Sequence, residues 1–492
     1  MVKLFGFEIK RAAKPLPARR SFHAANTGSL YASWIPSNTT ADIDIKKDLK
    51  SIRARSRELM RNDDYAIKFK RMVKRKVVGQ KGVKLQNKAK DTNGNLDKKA
   101  NDLIEAAYKE HCKKGMFDVT GKYSQKEFCK MVVGTLAEDG EVLIRTVKGY
   151  DNKFRIAYQL LEADHLDEQF SDVDRNIHMG IEFDEWDRPI AYHLYKKHPG
   201  NYGANRDTTR ERVPAEQIKH LFIPSRISST RGVPWMATAM TRLKMTNGYE
   251  EAELVGARIG ASKGGFYTQN AEGDEYAGDT TINGTPANEI TPGEFEVLPA
   301  GWDFKAYDPQ HPNASFKDFM KVVLRGISAG LDVSYNNLAN DLESVNFSSL
   351  REGKNEEKEV WQDLQTWLED NLLNDQFSEW LEMALLTQQV ALPFYKLEKF
   401  NQPTWLHRGF AWVDPYKDGL LNVLLNKEGL RSHTKILADV GEDIEEVYAE
   451  LQKEVELRKK YGIETMSHAE IAKIITETIQ FEESEDGNEE KN

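Results

Sequence analysis

Residues 316–349 read FKDFMKVVLRGISAGLDVSYNNLANDLESVNFSS, and two readings of them lead to different proteins. Gly326, Ser328 and Gly330 fit the G-x-S-x-G pattern of a hydrolase nucleophile elbow, which needs a short apolar strand just before the first glycine. Phe316, Phe319, Met320, Val323, Leu324 and Ile327 recur instead at three- and four-residue steps, the single stripe of an amphipathic helix. Ser328 is therefore expected near a helix end, and its flanking glycines call for a packing explanation. A polar loop is expected over 332–347, long enough to be either functional or disordered. A long helix follows over 348–386, with Val360, Trp361, Leu364, Trp367, Leu368, Phe377, Trp380, Leu381 and Leu385 on its buried side. At about 1.5 Å per residue it spans roughly 55 to 60 Å.

Working upstream, Pro234 opens a helical run that ends near Ser262, with proline suited to a first turn. Ala252, Gly256 and Gly260 stand four apart in it. Each interior glycine costs about 1 kcal/mol relative to alanine, so two on one face point to another helix close against the backbone. Gly326 and Gly330 repeat that spacing; the competing reading is a frayed helix end. Between the two helices, 263–312 is rich in Gly, Thr, Asn and Pro, with strand-like pieces GGFYTQ, FEVLP and WDFKAY. This reads as a small β-rich module at the tip of a helical pair.

Residues 1–40 carry Pro15, Pro17 and Pro36 and read as an extended arm. From 41 to 78 the pattern is helical and basic, running into KRKVVGQKGVKLQ, a strand with a glycine turn. Helices are expected over 99–111 and 124–136, and strands with polar turns over 141–161 and 177–195, so 41–236 forms an α+β domain. After 387 an irregular stretch leads into charged helices to about 470, followed by an acidic tail, 471–492.

The chain has 492 residues, 30% charged and 39% hydrophobic, enough for about three domains at the usual ~150 residues each. No apolar run approaches the ~20 residues of a membrane helix, and the broken apolar character of the first twenty residues argues against a secretory signal. Cys112 and Cys129 are too few for a disulfide framework or a four-thiolate metal site. The net charge of −9 is unevenly spread: 51–90 holds 14 Lys or Arg against 3 acids, whereas 441–492 holds 6 against 16. Such asymmetry suits different partners for the two regions, or copies that meet basic to acidic. No G-x-x-x-x-G-K-[ST] is present, so any motor energy comes from a partner, and no H-E-x-x-H occurs. Asp91, Asn93 and Asn95 resemble the start of a calcium loop, but Leu96 stands where glycine is needed. His407, His433 and His468 follow Ser328 without a recognisable triad context. No catalytic residue, cofactor or metal is expected.

The order of arm, basic helix, α+β domain, helix, β insertion, helix, polar loop and long helix resembles the portal proteins of tailed bacteriophages. Four segments are similar to the lambda-type portal family, in family order across about 20–465: LKSIRARSRELMRNDDYAIKFKRMVKRKVVGQKGVKLQ, IKHLFIPSRISSTRGVPWMATAMTRL, GISAGLDVSYNNLANDLESVNFSSLREG and WVDPYKDGLLNVLLNKEGLRS. The resemblance implies a multidomain α+β fold assembling into a ring, typically a dodecamer, at one capsid vertex. Its parts would be a wing (41–236 with helix 348–386), stem helices (237–262 and 313–331), a clip (263–312), a tunnel loop (332–347) and a crown (387–470). Double-stranded DNA would pass through the channel without sequence specificity. The other implied partners are the terminase large subunit, the major capsid protein and head–tail connector proteins, with no membrane; the protein would sit in the virion, and in the host cytoplasm during assembly.

The channel loop would present Asp332, Ser334, Asn336, Asn337, Asn340, Asp341, Glu343, Ser344 and Asn346, without one Lys or Arg. A lining that neutralises few phosphates avoids counterion-release affinity and lets DNA slide. Ala252, Gly256, Gly260, Gly326 and Gly330 would pack the stem, because a closed ring repeats one heterologous interface. Arg53, Arg55, Arg57, Lys74, Arg75 and Lys76 are open to either a partner or DNA. Two rivals are a serine hydrolase built on Ser328 and a monomeric nucleic-acid binder built on the basic helix.

Overall fold

The computed structural model describes residues 38–201, 208–262, 265–269, 302–306, 315–343, 347–412 and 415–462, with a short strand pair, β1 (Lys3–Leu4) and β2 (Phe7–Glu8). Three helices open the main body: α1 (Ala41–Lys46), α2 (Leu49–Asn62) and α3 (Asp64–Val73). Asp63 breaks α2 from α3 by taking an extended backbone and accepting the Ala66 amide on its side chain, an N-cap that restarts the helix at a new angle. Lys74–Val78 continue α3 as one π-helical turn that stops at Gly79, whose φ of +75° suits glycine. KRKVV is thus helical, and the strand predicted there, β3 (Lys84–Asn87), begins only after the glycine turn.

The predicted helices appear as α4 (Lys98–His111) and α5 (Gln125–Asp139). A reciprocal capping box between Ser124 and Glu127 starts α5, and Gly140 in the left-handed region ends it. Strands β4 (Glu141–Lys148), β5 (Ile156–Leu161) and β10 (Ile218–Phe222) form an antiparallel sheet in the order β10-β4-β5. A second sheet holds β6 (Ile177–His178), β7 (Ile181–Phe183), β8 (Pro189–Tyr195) and β9 (Arg210–Pro214) in sequence order, over a small core of Leu143, Leu166, Ile181, Tyr192, Leu194 and Val213. The α+β character of this region is as expected.

Helix α6 spans Met240–Ser262 and helix α7 Phe316–Leu331. Pro234 does not sit in the first turn of α6: residues 234–239 form turns, and the helix starts six residues later than proline suggested. Strands β11 (Gly265–Gln269) and β12 (Trp302–Ala306) pair antiparallel beyond α6, in the expected β module; FEVLP lies outside the described residues.

The loop predicted over 332–347 contains a helix, α8 (Tyr335–Ala339), and its last residue opens α9 (Phe347–Leu368). Helix α9 passes through a π-helical stretch, Glu369–Leu373, into α10 (Asn374–Leu386), together the long helix of the sequence reading. Trp361, Leu368, Phe377, Trp380, Leu381 and Leu385 are buried against α4, α5 and β5 in one large core. The chain after 387 does not leave at once. The short helix α11 (Leu397–Phe400) and strand β13 (Pro403–Leu406) return to the main body: Phe400 and Trp405 join its core, and β13 pairs antiparallel with β3. Helices α12 (Pro415–Lys427), α13 (His433–Asp439) and α14 (Ile444–Tyr461) follow, tied to the main body by pairs such as Arg351 with Asp418 and Lys81 with Glu442.

Candidate channel loop and stem

Asp332 caps α7 in the left-handed conformation at φ 55°, and its amide bonds to the Ser328 carbonyl. The chain then turns through buried Val333 into α8, which ends on Asn340, also left-handed. Asp and Asn tolerate this backbone better than other side chains, so both turns are written into the residue choice.

A single buried carboxylate holds the turn in place. Glu357, on α9, accepts from the Ser334 hydroxyl at 2.6 Å, the Asn337 amide and the Trp361 indole at 3.0 Å. Burial pushes its carboxyl up; these three bonds and the nearby Lys76 charge more than offset that and hold it below the usual glutamate range. Outside this anchor, the Tyr335 hydroxyl donates to Asp341 at 2.6 Å and Arg325 lies 5.5 Å from the Tyr335 ring centre. Lys68 reaches Asn340.

The loop's acids are not left bare. Lys317 pairs with Glu343 at 2.5 Å, and Lys321 lies 3.7 Å from Asp341 and 3.9 Å from Glu343. The absence of Lys and Arg within the loop therefore misses the two lysines that α7 brings beside it, and repulsion of phosphate is weaker than the sequence implied. Asn337 is turned inward onto Glu357, whereas Asp332 and Asn340 are exposed. Ser344 and Asn346 lie outside the described residues.

Helices α6 and α7 run antiparallel, and at the base the glycines of α7 sit beside side chains of the first segment. A Cβ on Gly326 would stand 2.1 Å from the Arg242 guanidinium, and one on Gly330 would stand 3.1 Å from the Thr238 hydroxyl, which donates to the Gly330 carbonyl at 3.0 Å. Further along, Tyr249 stacks on Phe316 with ring centres 5.7 Å apart and meets Phe319 edge-on at 5.0 Å. Gly326 and Gly330 thus lie against the first stem segment. Ala252 is exposed and Gly256 half-buried, while Gly260 is helical but its surroundings fall outside the described residues. Apolar side chains remain on the outside of the pair: Met245 (71% exposed), Leu254 (66%), Val322 (66%) and Phe319 (50%).

Two arginines of the basic segment are spent inside the molecule. Arg53 is buried and bonds to Glu141 at 2.8 Å, and Arg57 grips Asp139 with two bonds of 2.7 Å while also reaching Asp164. Neither is available to DNA or a partner in this fold, because each guanidinium neutralises an internal carboxylate. Glu141 is the centre of the cluster, also bonded by Arg231, His220 at 3.0 Å and the Gly232 amide at 3.0 Å. Gly140 and Gly232 make this possible: a Cβ on Gly140 would stand 2.2 Å from the Val233 backbone, and one on Gly232 2.2 Å from the Gly140 carbonyl. Lys74 is half-buried over Gly134, and burial lowers its pKa. Lys76 borders a cavity of about 420 Å³ beside Lys354, Lys358 and Arg408, three of these four cations ringing Phe410 at 4.8 to 6.0 Å. Arg55 and Arg75 are exposed.

Ser328 is buried in the last turn of α7, with no strand before it, so the nucleophile elbow is absent. His407 is committed to Glu369 at 2.5 Å and His433 to Asn426 at 2.6 Å; His468 lies outside the described residues. The Asp91 carboxylate accepts the Asn93 and Asn95 amides, so it acts as a turn-former. Glu162, Asp164 and His198 cluster closely enough to hold a cation, but Arg57 already sits on Asp164 and 3.7 Å from Glu162. No helix among the described residues is long and apolar enough to cross a membrane.

The residues that organise the loop, Glu357, Lys317 and Lys321, went unremarked in the sequence reading. Glu357 carried a signal: it lies four residues before Trp361 and so on the buried stripe of α9.

Residues 27–365 match the family model described as "Phage portal protein, lambda family". The chain is 34% identical over 467 residues to the "Probable portal protein" of Halomonas phage phiHAP-1, covering 92% of this chain and 89% of that protein. It is 21% identical over 485 residues to "Portal protein B" of Escherichia phage lambda, with 90% and 91% covered. Among solved structures, a chain from the neck of an empty GTA particle aligns at a TM-score of 0.44 and 12% identity, covering 85% of this chain and 99% of that one.

Proposed function

Since the chain belongs to the lambda family of phage portal proteins, we propose that it forms a closed ring, typically a dodecamer, at one vertex of a capsid and conducts double-stranded DNA through it. The observation that carries this reading is the α6/α7 pair. At its base Gly326 and Gly330 lie beside Arg242 and Thr238, while its outer sides leave Met245, Leu254, Phe319 and Val322 in water. Large apolar side chains clustered on an exposed element mark an interaction surface, and in a ring the same surface is covered once per copy. Ala252, exposed, and Gly256, half-buried, are small enough for a neighbour to approach closely.

In this reading α8 and its flanks face the channel. Exposed Asp332 and Asn340, with acids balanced by Lys317 and Lys321, give a nearly neutral rim that binds phosphate weakly. The β11/β12 module serves as the docking site for a terminase large subunit and later for head–tail connector proteins. The capsid protein meets the main body, where exposed Arg55 and Arg75 are open to an acidic partner. The protein acts as a conduit without chemistry of its own, in the virion and, during assembly, in the host cytoplasm.

Electron microscopy of the purified protein tests the proposal. Rings with a central opening wide enough for duplex DNA are the expected result; monodisperse single copies across concentration and salt would overturn it. The monomeric nucleic-acid-binding reading is weakened by the internal engagement of Arg53 and Arg57.

A further inference from the structure

An apolar groove of about 480 Å³ lies where the end of α7 meets α9, lined by Ile223, Pro224, Trp235, Leu331, Val360 and Leu364. Ile223 on its rim is 40% exposed, and the Trp235 indole nitrogen is buried without a hydrogen-bond partner among the described residues. Such a concavity is of the size that takes one or two large side chains.

The place where the chain enters the described fold points to the occupant. Arg226 donates to the Thr39 carbonyl at 3.1 Å and pairs with Asp44 at 3.0 Å. The Ala41 amide donates to the Ser228 hydroxyl at 3.2 Å, and Thr230 bonds Asp42 through its amide and hydroxyl at 2.9 and 2.7 Å. Residues 39–42 are therefore fastened to the 226–230 turn, two residues along from the groove wall at Pro224. Immediately before them the sequence reads LYASWIPSN, 30–38, with Leu30, Tyr31, Trp34 and Ile35 as its large apolar residues. From Trp34 to Thr39 is a tether of five residues, which extends to about 17 Å at ~3.4 Å each. Pro224 is within about 7 Å of Arg226 by the same measure, so the reach is ample.

We propose that Trp34 and Ile35 of the N-terminal arm seat in this groove of their own chain, with the Trp235 indole donating to an arm carbonyl. The arm thereby clamps the junction from which the loop at Asp332 departs. A short tether keeps the local concentration of the arm high, so burial of one large apolar side chain is enough to hold it in place most of the time. The proposal is independent of ring formation.

A full-length chain carrying Ser33→Cys and Ser225→Cys, with Cys112 and Cys129 kept, tests it under mild oxidation, with linked peptides identified by mass spectrometry and single-cysteine chains as controls. Proximity alone would let a tethered but undocked arm form the link, so the rate is the readout. The expected result is a link within one chain whose formation slows about tenfold when Trp34→Ser is added, the rate change matching loss of roughly 1.4 kcal/mol of docking. Ile223→Asp, an exposed rim change, is expected to slow it to a similar extent without altering the fold. A link that forms equally fast with Trp34→Ser and with Ile223→Asp, a link between chains, or no link at all would each overturn the proposal.

Discussion

Glu141 has no exposed surface and is enclosed by Arg53, Arg231, His220 and the Gly232 amide. Burial pushes its carboxyl up, but Arg231, His220 and Arg53 together overcome this and hold it well below the usual glutamate range. Its folded pKa is thus depressed, so its contribution to stability is complete above the unfolded value near 4.5 and is lost only as pH falls through the lower folded value. Glu141→Gln keeps the shape but strands two buried guanidinium groups. We expect it to cost about 3 to 5 kcal/mol in chemical denaturation at neutral pH, in line with the removal of one partner from a buried ion pair.

His111 behaves oppositely to a surface histidine. Its ring is enclosed by Phe117, Phe154 and Trp380, with ring centres 5.2 to 6.0 Å away, and desolvation lowers its pKa from 6.5 to about 3. The unfolded chain therefore binds a proton between pH 6.5 and 3 that the folded chain refuses, and stability falls as pH drops through that window. The slope attributable to this residue is about 1.4 kcal/mol per pH unit. His111→Leu removes that slope. Denaturation midpoints measured from pH 7 to 5 should decline less steeply for the variant than for the parent, and a parallel decline would show that the ring titrates normally.

At the scale of elements, the loop at 332–343 is a clamp made by α9. Glu357→Ala frees the Ser334 hydroxyl, the Asn337 amide and the Trp361 indole together. Each buried donor left unpaired costs about 1 to 3 kcal/mol, so the local structure should open before the main core does. Hydrogen exchange should accelerate at least about tenfold in α8, one decade for each 1.4 kcal/mol, while α4 and α5 stay protected. Equal acceleration everywhere would mean that Glu357 supports the whole fold rather than the loop.

Elements with their own periodicity were legible in the sequence: α4, α5, α7 and α9 to α10 carry apolar stripes, while β4 and β8 were found as strands although each is buried on four consecutive residues rather than alternating. What the sequence withheld was pairing between distant residues. The α8 helix is five residues long and polar, too short for a stripe to show, and it exists because Glu357 satisfies its N-terminal side. Likewise β13 reads as an isolated four-residue run; only its partner β3, more than three hundred positions earlier, returns residues 397–406 to the main core. The partners of Arg53 and Arg57 stayed hidden for the same reason. Counting charge along the chain cannot reveal that Arg53 and Arg57 face Glu141 and Asp139, whereas Gly326 and Gly330 drew notice because a glycine in a helix is costly unless something lies against it.

At the scale of the whole molecule, two forces are available to join copies, and they respond differently to mutation and salt. One is apolar: Leu254 and Val322 stand 66% exposed on the stem pair and each would contribute about 1.5 to 3 kcal/mol when covered by a neighbour. The other is ionic, the excess of base in 51–90 against the excess of acid in 441–492. Within one chain part of that attraction is already satisfied, since Lys81 and Lys84 pair with Glu442 and Glu446. These pairs are exposed, and surface pairs are weak and screened. The apolar surface should therefore dominate. Val322→Asp leaves the isolated fold within about 0.5 kcal/mol of the parent, because the side chain already faces water, but it places a charge at every repeat of the interface. Sedimentation at concentrations where the parent forms rings should show Val322→Asp as single copies, while the parent rings persist when salt is raised to about 1 M, where screening acts within ~3 Å. If rings instead dissolve in salt and survive Val322→Asp, the copies are held by their opposite charges, and the exposed stem residues serve some other contact.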